Sequence, residues 1–191
     1  QPRGGGPPAH RVPDLRGQLV HVEAGGVDDE VGLGAHVGEQ LPFAQELPLG
    51  VMIEVPAAAL CIEEVLEEVD FVSIGSNDLV QYLMAADRDN PHVAHLCEPF
   101  SPALLRLRAR VIKACNDAGK PVTLCGEMAG WPRCFPALFG MGLRRLSMSP
   151  AAVPTLKEVV RRTRLDVAEQ IAYEVLRMRT RWFFASGCCL R

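Results

Sequence analysis

Two carboxylates stand where carboxylates are costly. Glu54 interrupts the apolar run VMIEVPAA, and Asp78 follows Asn77 directly after the run FVSIG. A carboxylate at the end of a buried strand must be solvated, paired with an arginine or bound to a cation. For Glu54 alone these readings stand level. For Asn77 and Asp78 a turn or a helix N-cap is the ordinary alternative. Together they favour metal, because one carboxylate from each of two neighbouring strand ends is how an oxygen-ligand Mg2+ site is built. Cys125 lies in LCGEMAG. Most free cysteines are small buried hydrophobes, a reading that suits Cys61, Cys97 and Cys115. It suits Cys125 less, since Gly126 and Gly130 let a ligand approach the backbone. Arg88, in AADRDNP, reads alone as a solvated side chain; beside a phosphate its planar fork becomes a bidentate anion ligand.

The elements that must position these residues follow one pattern from Leu49 onward. LGVMIEV, FVSIG, PVTLCG and RRLSMSP are short apolar runs of the kind that form strands buried on both faces. PAAALCIEEVLEEV reads as one helix with Pro56 near its start and Leu60, Val65, Leu66 and Val69 inward. PALLRLRARVIKACNDAG reads as a strong amphipathic helix, with Pro102 near its start and Gly119 past its end. PRCFPALFGMG is a poorer helix, and VPTLKEVVRRTRLDVAEQIAYEVLRMR reads as one or two. Successive β-then-α units predict an α/β fold with a parallel sheet. Spacing does not separate a barrel from a doubly wound sheet, but both put chemistry at the strand C-termini. Glu54, Asn77, Asp78 and Cys125 all fall there, and Ser147 and Ser149 lie on the fourth run.

Composition bounds the function. With 20 Lys and Arg against 23 Asp and Glu, the net charge of −3 gives no electrostatic case for nucleic acid. No run is long and apolar enough to read as a membrane span. The seven cysteines form no C-x-x-C, so reduced thiols in a cytoplasmic protein are the simplest reading. Gln1 is not a start methionine and no signal peptide is visible, so the chain reads as a fragment or a processed product. Residues 1–46 are rich in Gly and Pro and read as a disordered arm or linker; 47–178 carry the β/α pattern, and 179–191 form a tail.

VMIEVPAAAL, FVSIGSNDLVQYLMAADRDNP, PFSPALLRL, GKPVTLCGEMAG and MGLRRLSMS occur in this order. Together they resemble the phosphoenolpyruvate-utilising enzymes, and most of all the phosphoenolpyruvate–protein phosphotransferases, Enzyme I of the sugar or nitrogen phosphotransferase system. Pyruvate phosphate dikinase and phosphoenolpyruvate synthase share IG-S/T-ND but differ around QYLMAADR and after the CG of the cysteine loop. The resemblance does not extend to residues 1–46, and it implies about the last four units of a partial (β/α)8 TIM barrel. It implies Mg2+ as cofactor with Glu54 and Asp78 as ligands, and Asn77 as a contact to the phosphate or carboxylate of phosphoenolpyruvate. Arg88 would hold the phosphoryl group. Cys125 would be the general acid that protonates the methylene carbon of enolpyruvate as pyruvate forms. Implied partners are a histidine phosphocarrier protein and a second copy of the chain, since this family dimerises through its barrel. The phosphorylated histidine belongs to a separate domain, whose motif His92 and His95 do not match. A non-catalytic phosphoenolpyruvate-binding or dimerisation fragment is the alternative, as is a barrel of the synthase or dikinase type. The strands read as apolar on both faces, so half a barrel leaves a bare apolar inner face and open edges, and is expected to dimerise or aggregate.

Overall fold

The structure is a computed structural model and describes residues 48–179. The arm at 1–46 and all but the first residue of the tail lie outside the described residues. Four strands, β1 (Gly50–Ile53), β2 (Phe71–Gly75), β3 (Val122–Cys125) and β4 (Arg145–Ser147), form one parallel sheet in the order β1-β2-β3-β4. A doubly wound sheet reverses its order at a switch point. Here spatial order follows chain order, so right-handed crossovers put the intervening helices on a single face. This is an α/β arc of the kind a barrel is made from.

The register fixes what each face presents. Val51, Val72 and Val122 pair across one level; Ile53, Ile74, Leu124 and Leu146 pair two residues further on. All but Leu146 are buried in the core with Leu104, Val111, Ile112 and Leu138 from the helices. The alternate residues point the other way. They are Met52, Ser73, Thr123 and Arg145, then Gly75, Cys125 and Ser147. The expectation of strands apolar on both faces therefore fails: one face is polar. The apolar runs misled because Gly, Met and Cys read as hydrophobic while packing little or lining a mouth.

The helices differ in two places from the pattern read in the sequence. PAAALCIEEVLEEV is two short helices, α1 (Pro56–Leu60) and α2 (Ile62–Glu68), broken at Cys61, where φ is −102° and ψ 33°. Leu60, expected inward, is 55% exposed. SNDLVQYLM, whose Asn77–Asp78 pair reads as a turn or helix N-cap, forms α3 (Ser76–Met84) with no intervening loop after β2. The rest follow as α4 (Pro102–Asp117), α5 (Phe135–Gly140), α6 (Val153–Arg162) and α7 (Leu165–Arg177). No described helix is long and apolar enough to cross a membrane.

Helix α4 acts as a strut. Arg106 and Arg110 are one turn apart and share a side of the helix. Arg106 Nε and Nη2 donate to the carbonyls of Leu176 (3.1 Å) and Met178 (2.6 Å), ending α7. Arg110 Nη2 donates to Leu60 O (2.9 Å), ending α1, and meets Glu63 at 3.0 Å. Beyond α4, Lys120 Nζ donates to the carbonyls of Leu66 and Val69, ending α2. Cations at helix C-termini satisfy orphan carbonyls and oppose the negative dipole end. Arg108, between the two outward arginines, points into the protein and is fully buried.

Helices α5 and α7 pack backbone to backbone. A Cβ placed on Gly140 would overlap the carbonyl of Ala168, which lies on the adjoining turn of α7. Backbone cannot swing aside as a flexible side chain does, so Gly140→Ala must push the helices apart. Overpacking of this kind costs about 1–3 kcal/mol. Urea denaturation of Gly140→Ala should show a lower midpoint with an unchanged slope; an unchanged midpoint would mean that this packing is looser than described.

Candidate functional site

The site grows from the C-terminal ends of the strands. Ile53 pairs with Ile74, so Glu54, one residue past β1, is level with Gly75 on the polar face. Gly75 pairs with Cys125, and Cys125 with Ser147. Glu54, Gly75, Cys125 and Ser147 thus form one row across the mouth. Adjacent strands lie about 4.8 Å apart, which puts the backbones of Glu54 and Cys125 about 10 Å apart. Glu54 is only 6% exposed. Its carboxylate leans over Gly75: a Cβ there would stand 3.4 Å from Glu54 Oε2 and 3.3 Å from Met52 Sδ. Glycine at 75 is what gives the carboxylate its room.

Asn77 and Asp78 sit half-buried in the first turn of α3, which starts directly on the end of β2. No side chain caps this helix start. Its first N–H groups therefore keep their capacity for an anion, favoured by the helix dipole. Ser76 Oγ bonds Asn77 Oδ1 at 3.3 Å. Gly126 follows Cys125 with φ +98°, a left-handed value that favours glycine, and a Cβ there would fall on Ser76 Oγ. The cysteine loop and the Ser76–Asn77 turn are therefore in contact, and glycine at 126 is required twice over.

Two cavities open beside this row. One, of about 500 Å3, is lined by Asn77, Gly126, Glu127, Trp131, Ser147 and Ser149 among others. The second, of about 470 Å3, is lined by Asn77, Arg88, Asp89, Cys97, Glu127 and Trp131 among others. Both are of a size for a small metabolite. Asn77, Glu127 and Trp131 wall both. The structure thus brings Asn77 and Arg88 to one cavity. Glu54, Asp78 and Cys125 are not on the walls of these two; Cys125 joins the first through Gly126. Arg88 is exposed, and its backbone N–H donates to Gln81 Oε1 (3.1 Å). No group of three or more His, Cys, Asp and Glu side chains gathers among the described residues.

Three features escaped the sequence reading. Glu127 and Trp131 occupy the turn after Cys125. The Trp131 ring is held by Phe100 (centroids 6.2 Å apart) and by the Arg133 guanidinium, 5.1 Å from its centre. The third is Arg108. Leu104, Leu105, Val111, Ile112 and Cys115 form the buried stripe of α4, and Arg108 falls on that stripe at helical spacing. That placement was the available signal.

The cysteines divide differently from the expectation. Cys115 is buried, but Cys61 is exposed, and Cys97 is half-buried with its Sγ donating to Ala86 O at 3.1 Å. Cys134, not considered in that group, is buried.

A parallel β/α arc with acid, amide and thiol side chains at its strand mouth is the frame of an α/β ligand-binding domain. Residues 32–165 match the family model described as PEP-utilising enzyme, PEP-binding domain, and the chain belongs to that family. The match begins upstream of residue 47, within the segment assigned to the arm. Phosphoenolpyruvate-protein phosphotransferase of Buchnera aphidicola subsp. Acyrthosiphon pisum is 42% identical over 140 residues, 73% of this chain and 24% of that protein. The protein of the same name from Lactococcus lactis subsp. cremoris is 44% identical over 140 residues, with the same shares of 73% and 24%. That of Cupriavidus necator is 42% identical over 163 residues, covering 83% of this chain and 28% of its own length. The chain spans about a quarter of the length of these curated relatives.

Thiol chemistry tests the burial pattern. Desolvation pushes Cys115 up to about 11 and Cys134 up to about 12, from an ordinary value of 9.0. At pH 8 their thiolate populations then fall about 10²- and 10³-fold below an ordinary thiol's, and thiolate is the reactive form. Iodoacetamide at pH 8, followed by peptide mapping, should modify Cys61 quickly and leave Cys115 and Cys134 intact until denaturant is added. Early labelling of Cys134 would contradict the packing around it.

Proposed function

We propose that this chain is the phosphoenolpyruvate-binding part of a phosphoenolpyruvate–protein phosphotransferase, and that its β/α arc is the second half of a (β/α)8 barrel. The observation that carries the reading is the row Glu54–Gly75–Cys125–Ser147 at the strand mouth, beside the Asn77 and Arg88 cavity. In the parent reaction the phosphoryl group passes from phosphoenolpyruvate to an enzyme histidine and on to a histidine phosphocarrier protein, releasing pyruvate. His92 and His95 do not match the motif of the acceptor histidine, so neither serves as the acceptor in this reading.

Glu54 and Asp78 are hard oxygen donors of the kind Mg2+ takes, one buried just past the end of β1 and the other half-buried in the first turn of α3. A cation bound there would offset the charge on the substrate's phosphate and carboxylate oxygens. The protein's own groups do the rest. Asn77 and the uncapped N–H groups of α3 orient the anionic substrate. Arg88 closes on phosphoryl oxygens from the cavity wall. Cys125, held half-buried at the mouth, delivers its proton to the methylene carbon as the enolate leaves. The family reading also makes the protein a cytoplasmic homodimer.

The test is titration calorimetry of phosphoenolpyruvate against the chain with MgCl2 or with EDTA. Binding should need Mg2+. Glu54→Gln and Asp78→Asn should each weaken it by at least the about 10–100-fold that loss of even an outer-shell metal partner costs. Arg88→Lys should recover only part of what Arg88→Ala loses, since a point charge does not replace a planar fork. Cys125→Ala should bind as the wild type does. In a full-length context it should form pyruvate about 10²–10⁴-fold more slowly, the range for a positioned general acid. Absence of Mg2+-dependent binding by the wild type, or wild-type binding by both carboxylate variants, would overturn the reading.

A further inference from the structure

Arg108 is the one fully buried charged side chain among the described residues, and no carboxylate is its partner. Its bonds run to three segments that converge on the site. Nη2 donates to the carbonyl of Ser76 (3.1 Å), the residue before Asn77. Nη1 donates to Met128 Sδ (2.7 Å), in the turn that carries Glu127 and follows Cys125. Nη1 also donates to Pro99 O (3.2 Å), in the segment beside Cys97 that walls the Arg88 cavity. Nε finds no partner among the described residues. A leucine would fill this place on the apolar stripe of α4 without the cost of burying charge. What arginine adds is reach and a planar fork that bonds several acceptors at once.

We propose that Arg108 is a positioning residue that locks the Ser76–Asp78 turn, the Glu127–Gly130 turn and the Cys97–Phe100 segment into one rigid wall around the binding cavities. It touches no ligand. It acts through Ser76, which sets the start of α3, and through Met128, which sets the turn holding Glu127 and Trp131. Ser76 Oγ lies against Gly126, so the two turns already meet at one point; the guanidinium joins them at a second. With two contacts the turns lose their freedom to rotate about the first.

Hydrogen exchange with peptide-level mass spectrometry reads this without any ligand. Arg108→Met keeps the length and removes the fork. It should raise exchange in peptides covering residues 74–80 and 126–131 about tenfold, with protection in α6 and α7 unchanged. Arg108→Lys, which bonds fewer acceptors, should raise it less. Met128→Leu should loosen the 126–131 peptide and spare 74–80. Unchanged exchange at both turns in Arg108→Met would overturn the proposal. Exchange raised throughout, α6 and α7 included, would also overturn it, by making Arg108 a general core residue. The consequence for binding rests on the proposed function: Mg2+-dependent phosphoenolpyruvate affinity should fall in Arg108→Met and recover in part in Arg108→Lys. If the wild type binds no phosphoenolpyruvate, that reading fails, while the exchange data still decide the role of Arg108.

Discussion

The in-register parallel pairing of the strands is the constraint on which everything else in this chain rests. Once Val51, Val72 and Val122 share a level, parity assigns every other strand residue to a face. The helices cover one face because chain order and spatial order coincide. The other face is left to Ser73, Thr123, Gly75, Cys125 and Ser147. A slip of one residue in β3 would send Leu124 to the mouth and Cys125 into the core. The buried valines and isoleucines therefore place the chemistry as firmly as any residue that touches a ligand.

Close approach is the second constraint, and it explains where glycine and arginine are spent. Gly75 leaves space for the Glu54 carboxylate, and Gly126 lets the cysteine loop lie on Ser76. Arg108 then binds the turns from behind. Desolvation lowers its pKa from 12.5 to about 10, so it is charged at neutral pH. Burial without a carboxylate partner is unfavourable to the charged form. Bonds to two carbonyls and a thioether offset part of this. On a stripe where leucine would serve, what the arginine adds is bonds to three segments at the mouth.

The sequence made the strands, the long helix α4 and the parallel α/β plan legible because apolar runs and helical spacing report burial directly. Glu54 and Cys125 were legible as strand-end residues for the same reason, whereas Asn77 and Asp78 lie in the first turn of α3. The errors have local causes. Cys61 takes a backbone conformation that breaks α1 from α2, which no periodicity reveals. The polar face was hidden because Met52, Gly75 and Cys125 count as apolar in a run. Helix α3 was missed because SNDL looks like a turn after the strand, and here it is the helix's first turn. Arg108 was not singled out in the sequence, although its place on the stripe with Leu104 and Val111 marks it as inward.

The polar inner face also changes what an open arc means. A bare apolar face would have to be covered by a second copy or by aggregation. Here the hydrophobic core lies between sheet and helices, closed by α4, α5 and α7, and it does not depend on what lines the mouth. The edges are the remaining exposure. At β4 the edge is three residues long and carries Arg145, both features that discourage pairing with another strand. The core and the candidate site thus lie on opposite sides of one sheet. Substitutions at Ser147 or Cys125 can alter the site while leaving the core intact, whereas those at Leu124 or Ile74 disturb both. Arg108 is the exception to that division, reaching from the helix side of the molecule to the turns that frame the mouth.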